Sequence, residues 1–323
     1  MKKILLTGCG GFIGSKVGEL LLERGFSVAG IDDMNDYYDV RLKEWRLTHL
    51  IKYKNFSFTR QDISSPEVRK VIVDFSPDGI INLAARAGVR ASIKDPFIYF
   101  KANLEGTLNL LEIAKEIGIK KFILASSSSV YAGEDMPFNE NLPVNKPISP
   151  YAASKKSAEC LCYTYHYLYN IDITIYRFFT VYGPAGRPDM SVFKFIKLID
   201  EGIPLTIFGD GSQKRDFTYV DDIAEGTIRG LDISGFNIIN LGGNHPYSIN
   251  ELVSLIEKEL GKKAVINYRN FEKTDLIATW ADIEKAKRLL NWQPLTGLPE
   301  GIKKTVQWYK ENRHWIKDIK LVD

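Results

Sequence analysis

The chain has 323 residues, of which 45% are hydrophobic and 26% charged, and a formal net charge of +3. That balance excludes collagen-like, disordered and disulfide-framed classes, and no apolar run approaches the ~18 residues that span a bilayer. Three cysteines are too few for a disulfide framework, and no Lys/Arg block suggests nucleic acid as the main partner. A reducing cytoplasm is the expected setting. Met1–Leu6 begins like a secretion signal, but the apolar run breaks at Thr7-Gly8, so no hydrophobic leader is expected.

Lys3–Leu6 predicts a short buried strand running into glycines. Ile13, Val17, Leu20 and Leu21 then repeat at helical spacing, and Gly25 stops that helix. Strands follow at 27–31 and 56–59, a helix at 66–75 with Pro66 in its first turn, and a strand at 79–83. Residues 103–117 predict a helix with Leu104, Leu108, Leu111 and Ile117 on one face, and further strands are expected at 122–125 and 173–176. Near-continuous apolar strands alternating with helices predict an α/β fold with a doubly wound parallel sheet. Ligands then bind beyond the carboxyl ends of the strands. After Phe179 the pattern becomes irregular, with a glycine- and proline-marked loop at 183–188 and helices expected at 191–201 and 248–260. The expected division is a Rossmann-type dinucleotide-binding domain over 1–180, to which 216–241 return. A smaller C-terminal substrate-binding lobe is expected mainly from 181–215 and 242–323.

Gly8, Gly11 and Gly14 fall between the first strand and the first helix, where a phosphate-binding turn must lie. The helix N-terminus supplies amide donors and a favourable dipole. Asp32 closes the second strand at the spacing of a ribose-binding carboxylate, and Asp33 beside it adds repulsion toward a 2′-phosphate, so NAD is expected over NADP. Tyr151 and Lys155 stand one helical turn apart after Ser149-Pro150. A nearby ammonium favours a phenolate, so the spacing predicts a lowered Tyr151 pKa and a phenol able to act as a base. The run Ser126–Ser129 closes the fifth strand at its ligand-facing end, where a hydroxyl could meet the same substrate oxygen.

With these marks the chain resembles the extended short-chain dehydrogenases/reductases, and within them the sugar-nucleotide 4-epimerases, most of all the UDP-glucuronate group. The resemblance spans nearly the whole chain. It rests on the glycine motif, Asn82-Leu83-Ala84-Ala85, the serine run before Val130-Tyr131, Tyr151 with Lys155, Arg177–Pro184 and Arg215–Asp222. Asn35–Asp39, Ala87–Arg90 and Gly186–Met190 point to the glucuronate group. The resemblance implies Tyr151 as base, Ser127 as its hydroxyl partner and Lys155 as anchor of the nicotinamide ribose. It implies Phe12, Ile13 and Asn35 in the cofactor site, Asp62 and Ile63 at adenine, and Ala84, Ala85 and Phe178 along the cofactor. It further implies Arg215 on the substrate diphosphate, Thr206, Ile207 and Phe208 around uridine, and Asp275 on its ribose. Gly88, Val89 and Arg90 join the substrate side. Ala91 and Ala132 stand where the group usually has Tyr and Gly, and Glu272-Lys273 depart from it near Asp275.

The shared first step of such enzymes is oxidation at sugar C4. Related dehydratases and decarboxylases then use carboxylates just after the catalytic hydroxyl. Here those positions are Ser128 and Ser129, which ordinarily do no acid–base work at neutral pH. The resemblance therefore implies C4 epimerisation of UDP-glucuronate to UDP-galacturonate, with Ser128, Ser129 and Thr180 holding the sugar carboxylate and Arg187 on the substrate side nearby. A UDP-glucose or UDP-N-acetylglucosamine 4-epimerase, or a non-catalytic NAD-binding regulator, are the competing expectations. A homodimer is expected from apolar helix faces around 103–117 and 154–169, the latter carrying Leu161, Cys162, Tyr165, Leu168 and Tyr169. No metal site is expected.

Overall fold

The computed structural model describes residues 2–270 and 277–322. Strands and helices alternate through β1 (Lys3–Thr7), α1 (Phe12–Glu23), β2 (Ser27–Asp32), α2 (Val40–Leu50), β3 (Phe56–Arg60), α3 (Val68–Phe75) and β4 (Gly79–Asn82). Two short helices, α4 (Val89–Lys94) and α5 (Pro96–Phe100), lead through a π-helical turn at Lys101–Glu105 into α6 (Gly106–Ile117). Next come β5 (Lys121–Ser127), α7 (Pro150–Tyr169), β6 (Asp172–Phe178), β7 (Thr180–Tyr182), α8 (Ser191–Glu201), β8 (Leu205–Phe208) and β9 (Lys214–Tyr219). The chain closes with α9 (Val220–Arg229), β10 (Phe236–Leu241), β11 (Pro246–Ser248), α10 (Ile249–Leu260), β12 (Ile266–Arg269), α11 (Glu284–Leu290) and α12 (Leu298–Ile316).

Among the described residues the main sheet has seven strands in the order β10-β6-β5-β4-β1-β2-β3, every pair parallel. Parallel strands need crossovers, and helices covering both faces explain why β1, β4, β5 and β6 are buried almost throughout. One face packs Val17 and Leu21 of α1 with Ile223 and Ile228 of α9. The other packs Ile72 of α3, Leu110 and Ala114 of α6, and Ala158 and Cys162 of α7. Strand order reverses between β1 and β4, which opens a crevice at their carboxyl ends.

A separate core forms in the C-terminal part from Phe193 and Ile196 of α8, Leu252 and Ile256 of α10, and Ile302 and Tyr309 of α12. Two small sheets, β11-β9-β7 and β12-β8, belong to this half. Helix α2 joins the halves, since its Leu47 and Leu50 enter the main core while Leu42 enters the C-terminal one. Of the segment 216–241, β10 pairs with β6 at the edge of the main sheet, whereas β9 pairs with β7 and β11. No described helix is long and apolar enough to cross a membrane.

Candidate active site

A cavity of about 470 Å³ lies over the carboxyl ends of the strands. At its inner end the chain turns from β1 into α1. Gly8 has φ +71°, and a Cβ there would sit 2.7 Å from the Ala84 amide nitrogen. At Gly14 a Cβ would meet the Gly8 carbonyl oxygen at 2.0 Å. Larger residues are therefore excluded by backbone rather than by movable side chains. Gly11 caps α1 without a side-chain hydrogen bond, and the first turn carries no acidic residue. The orphan amides of that turn and the positive end of the helix dipole suit an anion. Asp32 at the end of β2 lines the cavity, its Oδ1 accepting from the Met34 amide at 2.8 Å and its Oδ2 from the Gly10 amide at 3.1 Å. The uncapped glycine turn beside a strand-end carboxylate fits a dinucleotide with free ribose hydroxyls.

Ser127, Tyr151 and Lys155 line the cavity together. Ser149 caps α7 by accepting from the Ala152 amide at 3.1 Å, which fixes where the helix starts and places Tyr151 in its first turn. Lys155, one turn on, donates from Nζ to the Ala125 carbonyl at 2.8 Å. Ser127 ends β5, and its Oγ bonds the Ser129 hydroxyl and amide, each at 3.2 Å. Beneath them the Arg177 guanidinium grips Glu159 at 2.9 and 2.7 Å, and Ser126 donates to Glu159 at 2.6 Å. This buried network ties α7 to β5 and β6, and so ties Tyr151 and Lys155 to Ser127. Burial lowers the Lys155 pKa to about 8, against the opposing charge of Glu159.

One electrostatic expectation is corrected. Burial raises the Tyr151 pKa above the ordinary phenol value, and what opposes it is the Ser127 hydrogen bond and the Arg187 charge. Lys155 is turned to the Ala125 carbonyl, so its ammonium does not govern the phenol here.

At the outer end, Arg187 pairs with Asp189, with Nε to Oδ1 at 3.0 Å. Tyr37 donates to Asp189 at 3.4 Å, and the Arg86 guanidinium lies 5.6 Å from the Tyr37 ring centre. Tyr99 stands edge-on to Tyr151 at 6.1 Å.

The cavity brings together Ser127, Tyr151 and Lys155 with Gly8, Gly11, Phe12, Ile13 and Gly14 of the turn. Asp32, Asp33, Asn35, Asp62, Ile63, Ala84, Ala85 and Phe178 line it as well. So do Gly88, Val89, Arg90, Ser128, Ser129, Thr180, Arg187 and Arg215. Thr206, Ile207 and Phe208 are not among its lining residues. Strand alternation turns Ile207 into the C-terminal core, although Phe208 is reached through Arg90, whose guanidinium lies 4.2 Å from its ring centre. Asp275, with Glu272 and Lys273, lies outside the described residues. Asp216 is fully buried rather than a surface partner of Arg215. Its carboxylate accepts from the amides of Gly243, Asn244 and Ala281, and burial raises its pKa to about 6.

Sequence reasoning assigned no role to Tyr37, Lys43, Arg86, Tyr99 or Asp189. Tyr37 and Asp189 lie within the recognised stretches 35–39 and 186–190. Lys43 belongs to α2, whose buried stripe of Leu42, Lys43, Arg46, Leu47 and Leu50 is interrupted by two cations and does not read as an amphipathic helix. In the structure its Nζ lies 3.5 Å from Asp32 Oδ1 and 3.8 Å from Asp33 Oδ1, which partly neutralises the pair expected to repel a 2′-phosphate.

The chain is similar to known proteins over nearly its whole length. The model of the GDP-mannose 4,6 dehydratase family matches residues 5–305. A UDP-glucuronate 4-epimerase of Thermodesulfobacterium geofontis is 56% identical over 98% of this chain and 99% of its own. The crystal structure of UDP-glucuronic acid 4-epimerase from Bacillus cereus, in complex with UDP-glucuronic acid and NAD, is 40% identical with a TM-score of 0.91. That match covers 96% of this chain and 99% of the other. UDP-glucose 4-epimerase of Thermotoga maritima, solved with UDP-glucose, matches at 31% identity and a TM-score of 0.88 over 96% and 99% of the two chains. The chain belongs to the sugar-nucleotide epimerase family of the extended short-chain dehydrogenases/reductases.

Proposed function

We infer that the chain catalyses NAD-dependent epimerisation at C4 of UDP-glucuronate, giving UDP-galacturonate. The observation that carries this reading is one cavity holding the glycine turn, the Ser127–Tyr151–Lys155 group and, beside them, Ser128, Ser129, Thr180 and Arg187. The 56% identical relative named for this activity supports it.

When bound, NAD supplies an acceptor that takes the C4 hydride and gives it back. The turn at Gly8–Gly14 holds the cofactor diphosphate, Asp32 its adenine ribose, and Asp62 and Ile63 flank adenine. Lys155 anchors the nicotinamide ribose. Burial raises the Tyr151 pKa, so it would act as base only once ionised, a state that the positive charge of a bound nicotinamide would favour; the phenolate would then accept the proton of the C4 hydroxyl and return it after the 4-keto sugar has turned over. Ser127 hydrogen-bonds the same oxygen and keeps it in line with the phenol. Fixed orientation of these groups supplies much of the acceleration. No carboxylate occupies positions 128 and 129, so nothing there protonates or deprotonates the keto sugar. Ser128, Ser129 and Thr180 hold the substrate carboxylate, and Arg187 supplies positive charge nearby. That restraint matters because a 4-keto uronate is a β-keto acid, which loses CO2 when its carboxylate stands perpendicular to the carbonyl.

The active form is a homodimer acting in the cytoplasm. The free thiols at Cys9, Cys160 and Cys162 fit a reducing compartment. Supporting assembly, Phe97 is 83% exposed, Tyr167 73% and Leu168 56%, on adjoining helices α5 and α7. Cys162 and Tyr165 belong to the chain's own core instead.

The test is incubation of purified protein with UDP-glucuronate, UDP-glucose and UDP-N-acetylglucosamine, with products identified by NMR. UDP-galacturonate is expected as the dominant product. Preferential turnover of an uncharged sugar, or none with any of the three, contradicts the reading.

A further inference from the structure

Arg46 lies on the buried side of α2, outside the cavity lining, and is 2% exposed. Nothing in the reaction described above uses it. Its Nε and Nη2 both donate to the Ala185 carbonyl, at 3.0 and 2.7 Å, and Nη2 also reaches the Gly186 carbonyl at 3.2 Å. From the other edge Nη1 donates to the Gly10 carbonyl at 3.2 Å and to the Tyr38 hydroxyl at 2.7 Å. The Phe12 and Tyr38 rings lie 5.8 and 5.5 Å from its guanidinium carbon. One side chain thus grips the glycine turn with one edge and the chain immediately before Arg187 with the other.

Two features mark this as more than filling. All five hydrogen bonds go to neutral oxygens, and among the described residues no carboxylate forms an ion pair with Arg46. A buried charge without an anion is costly, so the fork earns its place through what it orders. Ala185 also has φ 52°, a left-handed conformation that residues with a side chain seldom adopt. The two donors on its carbonyl hold it there. From that corner the chain runs to Arg187, whose carbonyl in turn accepts from the Met190 amide at 3.1 Å. On the other edge, the peptide between Gly10 and Gly11 is held at both ends. Its carbonyl takes Arg46, and its N–H donates to the Gly8 carbonyl at 2.9 Å. The glycine turn cannot rotate that carbonyl toward a bound diphosphate without losing the Arg46 bond.

We propose that Arg46 is a positioning residue that locks the Arg187 loop against the glycine turn, so that the cofactor diphosphate and the substrate's uronate end are held in one frame. This rests on the reading of the cavity given above. A planar five-donor fork can serve both loops together, whereas a lysine ammonium cannot.

Arg46→Lys keeps the charge and removes the fork. Calorimetry on the nucleotide-free protein measures NAD affinity, and on NAD-loaded protein it measures UDP and UDP-glucuronate. With circular dichroism unchanged, NAD and UDP-glucuronate are each expected to bind about tenfold or more weakly, while UDP stays within about threefold. Ala185→Gly added to Arg46→Lys should recover UDP-glucuronate but not NAD, because glycine adopts the left-handed corner without help. Wild-type binding of all three ligands by Arg46→Lys overturns the proposal, as does an equal loss for UDP and UDP-glucuronate. If Arg46→Lys does not fold, Arg46→Gln, which can reach only one loop, carries the same expectations. If wild-type protein converts no UDP-glucuronate, the substrate reading fails, and the NAD measurement alone decides. A tenfold loss upholds the lock, and unchanged affinity overturns it.

Discussion

Tyr151 in the nucleotide-free protein is a buried phenol with a raised pKa, so removing it tests whether proton transfer passes through that oxygen. Tyr151→Phe keeps the ring and its edge-on contact with Tyr99. Turnover should fall at least ~10²-fold with NAD affinity retained, which steady-state rates and calorimetry measure. Thr180→Ala removes one hydroxyl from the carboxylate side of the cavity. A lost hydrogen bond to a charged group costs about 1.5–3 kcal/mol, or roughly a 10- to 150-fold change in carboxylate restraint. The variant should therefore release more UDP-pentose per epimerisation event by chromatography. Slowing of both products in equal proportion would assign Thr180 to sugar placement alone. Lys155 gives a pH signature. Its ammonium is disfavoured in the folded protein, where its pKa is about 8 against 10.5 for an ordinary lysine. Below pH 8 the buried charge costs stability, and above pH 10.5 the amine is neutral folded or unfolded. Relative to Lys155→Met, the nucleotide-free wild type should gain about 3 kcal/mol as pH rises from 8 to 10.5. Urea unfolding curves of the two proteins that stay parallel with pH would contradict this.

At the scale of elements, what was legible follows from burial. β1, β4, β5 and β6 read clearly because crossover helices bury both faces, leaving near-continuous apolar runs. α2 did not, because two of the five positions on its buried stripe are Lys43 and Arg46. Lys43 lines the cavity, whereas Arg46 lies outside it and donates to the Gly10 and Ala185 carbonyls, so both cations are buried by polar contacts that an apolar pattern does not report. β7, β8, β11 and β12 run only three or four residues and carry little periodicity, which is why the C-terminal sheets were not foreseen. The inward side of Ile207 was hidden for the same reason, since the β8 pairing is what shows it. The start of α7 was legible through Ser149-Pro150. Ser149→Ala should lower stability by about 1 kcal/mol in urea titrations, as loss of the cap on the Ala152 amide requires.

Over the whole molecule, a sheet with its order reversing between β1 and β4 places the glycine turn, the Ser127 strand end and the Thr180 strand around one opening. The C-terminal core is built on its own helices, and α2 links it to the main core. The glycine motif, the serine run and the Tyr151-Lys155 pair all contribute residues that line that opening. They did not report the electrostatics, because the Tyr151 pKa depends on burial and on Arg187 across the chain. In the proposed reaction hydrogen leaves sugar C4 and returns to C4 without meeting solvent. Conversion of UDP-glucuronate in D2O, followed by proton NMR, is the decisive measurement. UDP-galacturonate should retain protium at C4. Deuterium at C4 would show exchange through a solvent-exposed carbanion and exclude hydride return from a bound cofactor.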